Sequence, residues 1–84
     1  LYATGPSPFR NPQEALDLAL KAVAMSPTPE VLDTLAEAYY INGHYTDALS
    51  TINEAISAGG PQHSYFLKQK EKFEKALRGK LRST

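Results

Sequence analysis

The 84-residue chain contains no cysteine, no tryptophan, one methionine and two histidines. Without cysteine, neither a disulfide staple nor a thiolate metal site can form. His44 and His63 have no second ligand at four-residue spacing, and a zinc site needs three or four converging donors. No apolar run is long enough for a membrane span or a signal-peptide core, so no membrane insertion is expected of this stretch. The serines stand outside any G-x-S-x-G elbow, and Gly59-Gly60 lacks the Lys-Ser/Thr that completes a phosphate loop. The sequence therefore reads as a non-enzyme without cofactor or metal. The absent cysteines say little about compartment, though the cytoplasm is slightly favoured.

The charge is balanced in total and divided along the chain. Residues 1–60 carry seven acidic side chains against Arg10 and Lys21, while residues 61–84 carry seven basic ones against Glu71 and Glu74. Two opposite fields on one small domain favour head-to-tail contacts with itself or a neighbour. The basic run KQKEKFEKALRGKLR has the charge for sequence-independent phosphate binding. Glu71 and Glu74 interrupt it, and each stands four residues before a cation, Lys75 and Arg78, in the orientation that stabilises a helix. We read it as a solvated helix face, with no nucleic-acid partner.

What the chain does have is helical period. Val31, Leu32, Leu35, Ala36, Tyr39 and Tyr40 recur at three- and four-residue steps, as do Ala48, Leu49, Ile52, Ala55 and Ile56. Asn42-Gly43 divides the two sets, because glycine supplies the positive φ that a helix C-terminus commonly adopts. Asn11-Pro12 and Thr28-Pro29 each pair an N-cap residue with a proline suited to the first helical position, and Glu14 completes a capping box. Gly59-Gly60-Pro61 is a stop followed by a new start. The spacing predicts helices over 12–26, 29–42, 45–58 and 61–78, with Leu35, Tyr39, Ala48, Ile52 and Phe66 in the core. Residues 1–11, rich in Gly and Pro, are expected to be extended or disordered, and residues 78–84 to fray. Opening on Leu1 rather than Met, the chain has the look of a piece of a longer protein. At this length a single domain buries only about 60–65% of its unfolded surface, so modest stability is expected.

The segment from Leu32 to Pro61 resembles the tetratricopeptide repeat. Leu32, Leu35-Ala36, Tyr39, Gly43-His44-Tyr45, Ala48, Ala55 and Pro61 fill that family's consensus places, with Leu32 in place of the usual Trp and the closing Pro one residue late. Ala15, Leu16, Ala22 and Val23 precede Ala48, Leu49, Ala55 and Ile56 by 33 residues; Phe66 and Phe73 follow Leu32 and Tyr39 by 34. Repetition near this period marks stacked helix pairs. The resemblance implies an all-α, right-handed solenoid fragment over residues 12–84: a half repeat, one full repeat and a capping helix at 61–78. Gln69 and Lys70 stand where the repeat has Leu35 and Ala36, and they read as the polar outer face of that cap.

The resemblance also implies a function, protein–protein interaction through a groove lined by the first helix of each pair. Its groove positions fall on Glu30, Asp33, Thr34, Glu37, Tyr40 and Ile41, and on the capping helix at Ser64, Leu67, Lys68, Glu71 and Lys75. Glu30, Asp33 and Glu37 share a helix face as an acidic stripe, so the partner protein or peptide is expected to be basic or neutral. The family's chaperone-tail binders clamp two carboxylates with Lys, Asn and Arg, a pattern that Asp33, Thr34, Glu37 and Ile41 do not repeat. Two alternatives stand beside this reading. One is a capping or self-association module, acting through the first helix, where Leu16, Leu18, Leu20 and Val23 cannot all face one neighbour. In that case Leu1, Tyr2 and Phe9 fold over the surplus apolar strip, or a second chain covers it. The other alternative is an accessory domain of a membrane or secreted enzyme.

Overall fold

The computed structural model describes residues 11–83, with side chains as far as Leu81. Four helices follow one another: α1 (Pro12–Met25), α2 (Pro29–Ile41), α3 (Tyr45–Ala58) and α4 (His63–Ser83). Among the described residues there is no strand, so the chain is all-α. The expected extended segment, with Leu1, Tyr2 and Phe9, lies outside the described residues apart from Asn11.

α1 and α2 begin, and α2 ends, for local reasons. The Asn11 side chain accepts a hydrogen bond from the Glu14 amide at 2.8 Å, and Thr28 Oγ1 accepts one from the Val31 amide at 3.3 Å. A side-chain oxygen thereby satisfies one of the four donors that the first turn leaves open. At the far end of α2, His44 N–H donates to Tyr39 O at 2.9 Å and Gly43 N–H donates to Tyr40 O at 3.0 Å. This pair of bonds is the Schellman closure, and it requires the φ of +80° that Gly43 adopts. Asn42 Nδ2 also donates to Ala38 O and to Pro12 O, both at 2.8 Å, which ties the end of α2 to the start of α1.

Connections of three or four residues leave successive helices no room except to turn back on each other. The close packing is accordingly α1 on α2, α2 on α3 and α3 on α4. Leu32 and Ala36 of α2, Ala48, Ile52 and Ala55 of α3, and Phe66 and Phe73 of α4 form one core cluster. Leu16 and Ala19 of α1 meet Leu35 and Ala38 of α2 in a second, and Val23 and Tyr39 pack against both. Ala36, Ala48 and Ala55 have no exposed surface, so the small residues sit where backbones approach most closely. Burying each Phe or Ile side chain here contributes on the order of 1.5–3 kcal/mol.

Leu35, Ala48, Ile52 and Phe66 are buried as the period predicts. Tyr39 is only half-buried, its ring 6.2 Å from that of His44 in an edge-on arrangement. Two further expectations are corrected. First, α4 does not stop at residue 78 but runs to Ser83. Lys80 Nζ lies 3.5 Å from Gly43 O and 5.7 Å from the centre of the Tyr45 ring, so the extra turn packs on the α2–α3 connection. A single glycine such as Gly79 costs a helix only about 1 kcal/mol and does not end it. Second, Gln69 is not on an outer face: it is buried and turned towards α2.

Candidate functional site

On α2, positions 33, 34, 37, 38 and 41 lie three and four apart and therefore share one face. Across from them α4 presents Tyr65 and Gln69, four apart on its own face. Together with Ala15 of α1, these residues line a cavity of about 210 Å³. Thr34 Oγ1 is turned back onto its own helix, donating to Glu30 O at 3.1 Å.

A polar seam runs along one wall. Gln69 Nε2 donates to Asp33 Oδ1 at 3.3 Å and to Glu37 Oε1 at 3.1 Å. The Lys72 ammonium donates to the same Glu37 oxygen at 2.9 Å and sits 4.6 Å from the centre of the Tyr40 ring. Both members of the ion pair are 40% exposed, so its contribution to stability is small. Its role is placement, since it fixes the Glu37 carboxylate at the rim. Burial pushes the Asp33 carboxyl above its ordinary value; the Glu37 charge adds to that, while the Gln69 bond and the Lys72 charge oppose it. The Tyr65 phenol is raised by burial and then by the charges of Asp33 and Glu37, with Lys72 opposing.

Of the residues placed in the groove from sequence, Asp33, Thr34, Glu37 and Ile41 come together in the cavity. Glu30 is exposed and outside the lining. Tyr40 borders the seam through Lys72 but lies outside the cavity lining, its ring 5.2 Å from Phe73 and 5.6 Å from Tyr45. Leu67 and Glu71 border a separate, shallow surface with Lys68, Lys70 and Glu74. Ser64 and Lys75 are exposed. Tyr65, Gln69, Ala15 and Ala38 were not foreseen. Gln69 carried a usable signal, because a polar residue 34 positions after the buried Leu35 is a candidate for a buried polar wall.

His44 stands at the N-terminus of α3 and His63 opens α4, both exposed. Among the described residues no three His, Cys, Asp or Glu side chains are grouped to hold a metal ion, and no helix is long and apolar enough to cross a membrane. No family model matches the chain, and neither does any curated protein or solved structure.

Proposed function

We propose that this chain is a protein-interaction module of the tetratricopeptide-repeat kind, binding a basic or neutral segment of a partner in the groove between α2 and α4. The observation that carries the reading is the convergence of Asp33, Glu37, Ile41, Tyr65 and Gln69 from two separate helices onto one open cavity. Side chains left unpacked between two helices are where a bundle commonly places a binding site. Two carboxylates at the rim repel an acidic segment and attract a cationic one, with an affinity that falls as salt rises.

Binding of a mixed peptide library to the parent and to an Asp33→Lys, Glu37→Lys double variant tests this. The parent is expected to select cationic sequences and the double variant to lose or reverse that preference. An unchanged preference places the ligand elsewhere on the molecule.

A second reading, self-association through α1, is favoured by a different observation. Leu18 and Leu20 are 45% and 43% exposed and Met25 is 86% exposed, all on this one helix. Leu18 and Met25, seven residues apart, share one helix face, and exposed apolar side chains so placed commonly serve contact with another chain.

A further inference from the structure

Among the described residues, the seam between α2 and α4 gives Asp33 no ion pair of its own. It holds two carboxylates, Asp33 and Glu37, against one ammonium, Lys72, which lies on Glu37. Asp33 receives only the longer bond from a neutral amide, the 3.3 Å contact with Gln69. A half-buried carboxylate in that position is stabilised by any cation that reaches it. The space in front of it is walled by Ala15, Ala38, Ile41 and the Tyr65 ring. At about 210 Å³ the cavity falls below the roughly 300–1,000 Å³ typical of small-molecule sites, and it suits one side chain better than a metabolite.

Which cation fits is decided by the walls. A bare metal ion or an ammonium is a compact, strongly hydrated charge and gains little from alanine and isoleucine walls. A guanidinium is planar, weakly hydrated, rich in donors and stacks on aromatic rings. The Asp33 and Glu37 oxygens both accept from the same Gln69 nitrogen, so the two carboxylates sit side by side and the five donors of one guanidinium can be shared between them. We infer that this cavity is the subsite for an arginine side chain of the bound partner. Its guanidinium lies on Asp33 with a second contact to Glu37, its stem runs along Ala38 and Ile41, and its plane faces Tyr65. The inference rests on the groove being the partner-binding site, as proposed above, and narrows the partner to a segment with an arginine at this point.

The test is amide-resolved NMR titration of the full chain with three probes: acetyl-Gly-Arg-Gly amide, its lysine counterpart and its citrulline counterpart. Citrulline has the shape of arginine without its charge. The arginine probe is expected to move amides in 33–41 and 65–69, with lysine weaker and citrulline about tenfold weaker or more, the scale of losing a charge-assisted hydrogen bond. Asp33→Asn, which keeps an acceptor for Gln69, is expected to reduce arginine binding by a similar factor, while Asp47→Asn leaves it unchanged. Equal shifts with citrulline, equal shifts around Asp47 and Glu54, or full binding by Asp33→Asn overturns the inference. If longer cationic peptides occupy the groove without preferring arginine, the subsite fails and the groove reading stands. If no peptide binds anywhere, both fail.

Discussion

Leu18 of α1 is 45% exposed, whereas Thr51, in the matching place of α3 33 residues later, is 6% exposed. The difference is one of neighbours. α3 is packed between α2 and α4, while among the described residues α1 has α2 as its one close-packed neighbour. Buried, Thr51 satisfies its hydroxyl by donating to Asp47 O at 2.8 Å; Leu18, left open, has an apolar side chain ready for contact. At the opposite end, Lys70 and Glu74 of α4 stand 34 residues after Ala36 and Tyr40 of α2. Ala36 is fully buried where α3 lies against α2, and a lysine takes its place on α4. The two terminal helices thus differ in what they present: apolar Leu18 on α1, charged Lys70 and Glu74 on α4.

The largest effect is expected where the two ends share a dependence on the middle. Phe73 has no exposed surface, and Phe73→Ala should cost about 3–5 kcal/mol, whereas Leu18→Ala should stay within about 0.5 kcal/mol as a surface change. Urea unfolding followed by circular dichroism measures both. Similar costs for the two would mean that α1 is covered in solution and the ends are not opposite.

A change of intermediate size tests the asymmetry itself. Lys70→Leu with Glu74→Leu should open the closed end and produce association that grows with concentration in sedimentation experiments. Leu18→Glu should suppress association of the parent. A double variant that associates no more than the parent would show that these two charges do not close the α4 end.

The smallest effect lies between the ends, at Asp33. Its carboxyl is raised above the unfolded value by burial, so the folded chain takes up that proton first as pH falls. Stability therefore gains from Asp33 as pH drops from neutrality towards the unfolded value, and loses the same increment on the way back up. Asp33→Asn should flatten this part of the stability–pH curve and shift stability at pH 7 by no more than about 0.5 kcal/mol. A curve with an unchanged slope would remove Asp33 as its source.

Much of this was legible in the chain because much of it is local. The caps at Asn11-Pro12 and Thr28-Pro29 and the closure at Gly43 are decided within five or six residues, and the helix starts followed directly. Asp33, Thr34, Glu37 and Ile41 were placed in the groove by the resemblance, together with Glu30 and Tyr40, which lie outside the cavity lining. The misses on α4 depend on contacts distant in sequence. The true end of α4 rests on Lys80 meeting Gly43 and Tyr45, some 35 residues away. Gln69 looked like surface because its partners, Asp33 and Glu37, are on another helix. Leu67 and Glu71 were assigned by translating the α2 face one repeat along. The way α4 settles against α2 turns Tyr65, Gln69 and Lys72 inward instead.

The order in which the helices pack bears on how quickly the chain finds its fold. Close packing joins each helix to the next one along the chain, across connections of only three or four residues. Closing such short loops costs little entropy, and low contact order of this kind accompanies folding in microseconds to milliseconds. The α2–α3 hairpin, with its turn fixed by the Gly43 closure, is the natural nucleus, and α1 and α4 then add from either side. A substitution in α1 should therefore speed unfolding while leaving the folding rate nearly unchanged, and one at the α2–α3 contact should slow folding.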